Sequence, residues 1–171
     1  MKVRKRHLLS SKDLRRLRES LLGLSFHTEL LVPKGAKVEL IHLEDMDLYA
    51  INDRIHLVRN REMIFPALHA LLEGRVKLPH VVVDTGAVPY VARGAAIMAP
   101  GIVETDKGIE IGDIVVIVDE IHKRPLAIGI ALMSAIEIKT SKRGRAVDNL
   151  HHVGDTIWGF IKTFQKKGGK I

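Results

Sequence analysis

The first predicted element is a helix near the start of the chain. In SSKDLRRLRESLLGL, at residues 10–24, the leucines recur at three- and four-residue intervals, and the arginines between them fall mainly on the other side. Ser10 or Ser11 is suited to cap its N-terminus, and Gly23 is suited to end it. The pattern therefore predicts an amphipathic helix whose exposed side is basic.

The next fifty residues predict strands followed by a helix. KVELIHLEDMDLYAINDRIHLVRN, at residues 37–60, indicates two or three short strands separated by the turn-forming EDMD and IND. REMIFPALHALLEG, at residues 61–74, predicts a second helix that is entered near Pro66 and ends at Gly74. We expect residues 1–76 to form a small N-terminal α/β domain.

The second half of the chain has a different pattern, made of short Val- and Ile-rich runs punctuated by Gly, Pro and Asp. No helical stretch of about 10–15 residues separates these runs, so a parallel α/β sheet is disfavoured. The spacing predicts a small, mostly antiparallel barrel over residues 77–160, a basic tail over 161–171, and an α+β class for the whole chain. The runs are VVV (81–83), AAIMA (95–99), DIVVIVDE (113–120), PLAIGIALMSAIEIK (125–139) and DTIWGFI (155–161).

Positive charge is concentrated at the two ends of the chain. The formal net charge is +7; residues 1–18 hold eight bases and one acid, and residues 160–171 hold four lysines and no acid. Such clusters are typical of contact with a phosphate backbone, although solvated tails that aid solubility are the alternative. The expected N-terminal basic patch consists of Lys2, Arg4, Lys5, Arg6, Arg15, Arg16 and Arg18.

Composition excludes several kinds of chemistry. The chain has no cysteine, which excludes disulfides, thiolate catalysis and cysteine-bound zinc. His151 and His152 are adjacent, and on a strand they would face opposite ways, so we expect no metal site. No serine lies in a nucleophile motif, so neither an enzyme nor a cofactor is expected. Without a secretory signal or a membrane-length apolar run, we expect a cytoplasmic protein with no membrane contact.

One segment, VVVDTGAVPYVARGAAIMAPGIV at residues 81–103, combines glycines and prolines with few polar side chains. Asp84 or Thr85 is suited to cap a short helix that Gly94 would end, leaving backbone N–H groups that can hold an anion. Turn chemistry without a ligand is the alternative. A basic loop follows what we expect to be a strand, in IEIKTSKRGR at residues 136–145, and offers a track for phosphates.

The ordered string VVVDTGAVPYVARGAAIMAPGIV, GIEIGDIVVIVDE, PLAIGIALMSA and NLHHVGDTIW resembles a PUA domain over about residues 79–159. VPYVARGA, MAPGIV and HHVGDTIW are most similar to the malignant T-cell amplified sequence family, in its archaeal form. The resemblance implies a PUA pseudobarrel that binds RNA without catalysis. It also implies a role in translation, in initiation or ribosome recycling, with tRNA or small-subunit rRNA as the ligand and a translation factor as a candidate protein partner.

The resemblance also implies which residues hold RNA, and charge adds a second group. A protein-interaction adaptor and a substrate-delivering accessory of an RNA-modification enzyme are the alternative functions. The residues implied by the PUA motif are Gly86, Ala87, Val88, Pro89, Tyr90, Arg93, Gly94, Ala95, Pro100, Gly101 and Ile102. The residues added on charge are Lys139, Lys142, Arg143 and Arg145.

Overall fold

The chain folds into two compact units in a computed structural model that describes residues 1–22, 24, 30–61 and 63–170. One unit comprises Met1–Lys77 together with Thr156–Ile171, and the other comprises Leu78–Asp155. The backbone therefore passes between the units twice, once after residue 77 and once after residue 155. Each unit has its own sheet.

The first unit contains a five-stranded sheet in which the strand order follows the chain, with every neighbouring pair antiparallel. Two or three strands were predicted within residues 37–60, and three are present. The helix predicted over residues 61–74 is wrong in its first half, where Pro66 ends a strand at the sheet edge, the position a proline tolerates. The strands are β1 (Lys5–Leu8), β2 (Val38–His42), β3 (Asp47–Ile51), β4 (Arg54–Asn60) and β5 (Met63–Pro66).

Two of the helices of this unit are α1 (Ser11–Leu21) and α2 (Leu68–Leu72). The predicted first helix is confirmed: the Ser10 hydroxyl accepts a hydrogen bond from the Asp13 backbone N–H at 3.2 Å, as an N-cap does. Gly23, predicted to end that helix, lies outside the described residues.

The third helix of the unit corrects the prediction for the end of the chain. DTIWGFI was expected to be a barrel strand and residues 161–171 a tail, but Thr156–Lys166 forms the helix α5. Its buried residues Ile157, Ile161 and Phe164 recur at helical spacing, which a seven-residue window ending at Ile161 could not reveal. These side chains help to build the core of the first unit.

Arg6 joins the beginning of the chain to the segment after α5. Its guanidinium donates to the Glu39 carboxylate and to the carbonyl oxygen of Gly169, the latter at 2.7 Å, and it lies 5.3 Å from the centre of the Phe164 ring. Glu39 is buried, and the hydrogen bonds from Lys37 and Arg6 outweigh that burial and lower its pKa. Arg6 was predicted to belong to the basic patch, but its charge is engaged inside this unit.

A buried histidine links β4 to the end of α2. The Nε2–H of His56 donates to the Glu73 carboxylate at 3.0 Å, and Glu73 also accepts from Arg54 at 2.7 Å. His56 is only 3% exposed, and burial lowers its pKa despite the neighbouring carboxylate. Its Nδ1 atom is buried without a hydrogen-bond partner. Protonation would place an unsatisfied N–H donor there, so the neutral imidazole is the stable form.

We predict that the His56→Gln variant loses less stability on acidification than the wild type. Because the His56 pKa is lowered in the folded state, the unfolded chain takes up the proton first as the pH falls, which favours unfolding. The test compares the free energy of unfolding at about pH 7.5 and about pH 5.5, where one proton contributes at most about 1.4 kcal/mol per pH unit. His122→Gln, at an exposed histidine, is the control. Equal pH dependence in wild type and His56→Gln would contradict this account.

The second unit contains a six-stranded sheet in the order β7-β11-β10-β9-β6-β8, antiparallel throughout except for the parallel pair of β6 and β9. This arrangement confirms the predicted α+β class with a mostly antiparallel pseudobarrel. The strands are β6 (His80–Val83), β7 (Ile97–Met98), β8 (Ile102–Thr105), β9 (Ile114–Asp119), β10 (Pro125–Ala131) and β11 (Arg145–His152).

Two short helices, α3 (Val88–Val91) and α4 (Ala135–Thr140), accompany this sheet. The second corrects the prediction that the run at 125–139 is one strand. The Ser134 hydroxyl accepts from the Glu137 N–H and the Glu137 carboxylate accepts from the Ser134 N–H, a reciprocal capping box that starts a helix. Lys139, which was predicted to lie in the basic loop, is therefore in the last turn of α4, and the rest of the basic loop follows this helix rather than a strand.

Gly129 lies where β10 packs tightly against β11. The register of β10 against β11 shifts between Ile128 and Gly129, as at a β-bulge. A Cβ atom at position 129 would lie 2.5 Å from the Val147 side chain and 2.6 Å from the carbonyl oxygen of Asp148. The backbones of β10 and β11 can pack in this way only with glycine at this position.

We predict that Gly129→Ala destabilises the protein by roughly 1–3 kcal/mol, because the added methyl overpacks the core and meets a backbone atom that cannot rotate away. Chemical denaturation monitored by circular dichroism measures the change. Gly108→Ala is the matched control, since a Cβ at position 108 meets no atom within 4 Å. Similar stabilities for the two variants would show that the strands can move apart freely at Gly129.

Candidate nucleic-acid interface

The turn between β6 and α3 is held by carboxylates. The Asp84 side chain accepts from the Ala87 N–H at 2.7 Å, and the Glu120 side chain accepts from the Thr85 N–H at 2.9 Å. The sequence left two interpretations open for this turn: N–H groups that hold an anion, or turn chemistry without a ligand. For Thr85 and Ala87 the structure shows turn chemistry, because both N–H groups already donate to acids of the protein.

Gly94 ends the helical turn of α3 as predicted, with a φ of +83° in the left-handed region that favours glycine. A Cβ atom there would also lie 3.0 Å from Nε2 of His152 on β11. Both the backbone conformation and the neighbouring histidine therefore require the glycine. His152 was not expected to contribute, because only the folded sheet brings it beside this turn.

Asn149 fastens the α3 segment to β11. Its side-chain amide donates to the carbonyl oxygen of Val91 at 3.1 Å and to that of Ala95 at 3.3 Å. One side chain thus bonds both ends of the turn that leaves α3. No pattern along the chain predicts this role, because a single asparagine in a polar stretch has no characteristic spacing.

The basic loop lies at the opposite end of the same strand. The Ala99 N–H donates to the carbonyl oxygen of Gly144 at 2.9 Å, and Met98 pairs with Arg145 where β7 meets β11. The segment around Pro100 is therefore next to the loop that carries Lys142 and Arg143. Strand β11 brings together the three segments predicted to contact RNA.

The predicted residues divide into exposed ones and ones that support the core. Ala87, Val88 and Ile102 are partly buried and pack against the core of the unit, so they shape the site from beneath. Gly101 is also half-buried, and its carbonyl oxygen accepts from the Asp84 N–H at 3.0 Å. We call the exposed set the β11 surface, and a ligand can reach its members directly. They are Gly86, Pro89, Tyr90, Arg93, Gly94, Ala95, Pro100, Lys139, Lys142, Arg143 and Arg145.

The β11 surface offers one flat aromatic group and several cations. Tyr90 is 60% exposed, and the Arg93 guanidinium lies 5.3 Å from the centre of its ring. Arg145 forms an ion pair with Asp148, whereas Lys142 and Arg143 form no ion pair within the described part of the chain. The arrangement can stack a planar group and attract an anion.

The N-terminal basic patch belongs to the first unit, where most of its arginines have partners. Arg18 donates to the carbonyl oxygen of Pro33 at 2.9 Å. The remaining pairs are exposed and such pairs are weak, so these side chains stay available to other anions. They are Arg4 with Glu44 at 3.6 Å, Arg15 with Glu19 at 3.7 Å and Arg16 with Asp13 at 3.9 Å.

No group of three or more histidine and acidic side chains in residues 1–22, 24, 30–61 and 63–170 is arranged to hold a metal ion. Over the same ranges, none of the helices combines the length and apolar character needed to cross a membrane.

Comparison with known proteins agrees with both units. The PUA domain model matches residues 79–153, and a domain of unknown function, DUF1947, matches residues 5–73. Translation machinery-associated protein 20 of Saccharomyces cerevisiae is 35% identical over 76% of this chain and 76% of its own length. Malignant T-cell-amplified sequence 1 of Rattus norvegicus is 30% identical over 87% of this chain and 84% of its own length.

The chain belongs to the malignant T-cell-amplified sequence family. A crystal structure of a hypothetical protein from Pyrococcus horikoshii OT3 has the same fold, with a TM-score of 0.78 and 38% identity over 92% of this chain and 99% of that one. The second unit is the PUA domain of this family member, and the β11 surface lies on it.

We predict that Asn149→Ala loosens the α3 segment without unfolding the PUA domain. Losing two bonds to backbone carbonyls costs about 1 kcal/mol each. Hydrogen exchange should therefore quicken several-fold at the Gly94 and Ala95 amides, which donate to the carbonyls of Val91 and Tyr90. Asn60→Ala, at an exposed asparagine of the first unit, should leave both amides unchanged. Unchanged exchange in Asn149→Ala would contradict the fastening role.

Proposed function

We propose that this protein binds unpaired RNA through the β11 surface and acts without catalysis in translation. The observation that carries the proposal is that one strand holds the α3 turn, the segment around Pro100 and the basic loop together. These are the three segments that the PUA resemblance and the charge pattern indicate independently.

Base contact is assigned to Tyr90 and Arg93. An aromatic ring and a guanidinium plane both stack on nucleobases, and unpaired bases are the ones that can reach them. The ring of Tyr90 is largely exposed, and Arg93 beside it adds positive charge to the same spot. Stacking accepts any base, so these residues supply affinity with little sequence preference.

Phosphate contact is assigned to the basic loop. Lys139, Lys142 and Arg143 are exposed, and no acid of the described ranges forms an ion pair with them. Their charges are therefore free to replace the counterions that surround a phosphate backbone, which makes affinity depend on salt. Arg145 contributes less in this proposal, since Asp148 already neutralises it.

The N-terminal basic patch adds a second region of attraction on the first unit. Lys2 and Lys5 are exposed, and the weak pairs of Arg4, Arg15 and Arg16 can exchange for phosphates. Arg6 is left out of this role because it holds Glu39 and the Gly169 carbonyl.

The place in translation is supported by the relatives. One relative carries the name translation machinery-associated protein 20, and it is similar to this chain over 76% of the chain's length. We infer initiation or ribosome recycling as the step, tRNA or small-subunit rRNA as the ligand, and a translation factor as a possible protein partner. This role places the protein in the cytoplasm.

We predict that Tyr90→Ala weakens RNA binding about tenfold, the loss expected from one stacked base. The double variant Lys142→Met and Arg143→Met should lower both the affinity and its dependence on salt, by about one unit of slope for each phosphate contact removed. Fluorescence anisotropy with labelled tRNA and a small-subunit rRNA fragment, at several salt concentrations, measures both effects.

Two controls belong to this experiment. Tyr90→Phe keeps the ring and should bind like the wild type, and Lys107→Met removes an exposed charge outside the β11 surface. The N-terminal basic patch is also tested by substitution, because a deletion of residues 2–6 would remove part of β1. If Tyr90→Ala and the double variant both match Lys107→Met, the β11 surface does not bind RNA.

A further inference from the structure

The sheet of the first unit has a face with a groove that is suited to bind a ligand. His7, Leu40 and Tyr49 stand directly opposite one another in register on β1, β2 and β3. Directly opposed residues of antiparallel strands share one face of the sheet, so these three side chains form a transverse row. Arg6, which precedes His7, points to the other face, where it contacts Phe164 of α5.

The row forms the floor of a groove that arginines flank. Arg59 of β4 lies over the ring of Tyr49, with 5.2 Å between the guanidinium carbon and the ring centre. Arg16 and Leu17 of α1 form part of the wall of the same groove. Its cavity volume is about 420 Å³. Small-ligand sites usually have volumes of about 300–1,000 Å³, so the groove fits one small ligand.

The charge balance of the groove favours an anion. Asp13 is engaged, since it accepts from the Ser10 hydroxyl at 2.6 Å and lies 3.9 Å from Arg16. Asp47, on the same face, lies 2.7 Å from Nδ1 of His42. Arg59 stands opposite Asp47 in register, but it forms no ion pair with any acid of the described ranges, so its guanidinium is held by no carboxylate.

The floor is also suited to a planar group. The rings of His7 and His42 are stacked, with centroids 5.4 Å apart and planes inclined by 21°. Burial raises the pKa of Tyr49 to about 12, so its phenol stays neutral and does not repel an anion. Apolar floor, flat rings and guanidinium groups together match a nucleotide: a base with a phosphate attached.

We propose that this groove binds one nucleotide of an RNA, with its phosphate held by Arg59 and Arg16 and its base lying over the half-buried His7 end of the floor, because Tyr49 is only 2% exposed and Arg59 covers its ring. The proposal rests on the proposed function, because it takes RNA as the ligand. It adds a second RNA-contact site, on the first unit, in which guanidinium groups bind a phosphate in a groove. The β11 surface would hold another part of the same strand.

The first test uses the full-length protein and free ligands. Adenosine 5′-monophosphate is titrated while backbone amide shifts are followed by NMR, with adenosine and inorganic phosphate as separate titrations. We expect the nucleotide to shift amides around His7, Arg16, Tyr49 and Arg59, and to bind more tightly than either part alone. Arg59→Met keeps a side chain over the Tyr49 ring and should weaken nucleotide binding about tenfold or more.

The matched control is Arg61→Met, at an exposed arginine on the turn that follows the same strand. It should bind the nucleotide like the wild type. No localised shifts at millimolar nucleotide would overturn the proposal. Phosphate that binds as tightly as the nucleotide would reduce the groove to a simple anion site, and a glutamate-rich peptide that binds more tightly than the nucleotide would assign it to a protein partner. Either result would overturn the nucleotide assignment.

The second test separates this proposal from the one for the PUA domain. Tyr90→Ala should leave nucleotide binding in the groove unchanged, so the titration reports on the groove whatever the β11 surface does. RNA affinity should fall in Arg59→Met relative to Arg61→Met. If the groove binds the nucleotide but Arg59→Met binds RNA as well as Arg61→Met, the RNA assignment fails for the groove alone. If Arg59→Met lowers RNA affinity but Tyr90→Ala does not, the assignment of RNA binding to the β11 surface fails.

Discussion

The close approach of β10 and β11 at Gly129 is the constraint on which the PUA site depends. Without a side chain at that position, β11 can lie against the centre of the sheet, with Val147 packed over the glycine. The position of β11 then fixes Asn149 and His152, and these two side chains fix the turn after α3. A packing restriction in the core thus determines the geometry of a surface made mostly of backbone and small residues.

Patterns within one element were predictable from the sequence, and patterns that depend on partners were not. Ser10 followed by leucines at helical spacing predicts α1, because cap and period lie within one window. Helix α4 was predicted as part of a strand, because an apolar run such as AIEI fits the period of a helix and that of a strand. The capping box of Ser134 and Glu137 favours the helix. Pro66 suggested the start of a helix. It is instead the last residue of the edge strand β5, because it pairs with Leu57 of β4.

The local geometry of the candidate site was predictable to a similar extent, whereas its contacts with RNA stay a prediction. Segment 81–103 is singled out by its resemblance to the PUA motif, and its glycines and prolines predict turns. The residues that hold it, Asn149 and Glu120, come from distant parts of the chain and become neighbours only in the folded sheet. Charge alone could not separate Arg6, which is engaged, from Lys5, which is exposed, since the alternation of strand faces makes that distinction.

The return of the chain to the first unit as α5 has a consequence for how the protein folds during synthesis. The ribosome completes the whole of the PUA domain before it makes Ile157, Ile161 and Phe164, which the first unit buries. The first unit is therefore begun first and completed last, and the apolar face of its sheet stays uncovered until α5 is made. The PUA domain, which is contiguous in sequence, can fold while that face is still uncovered.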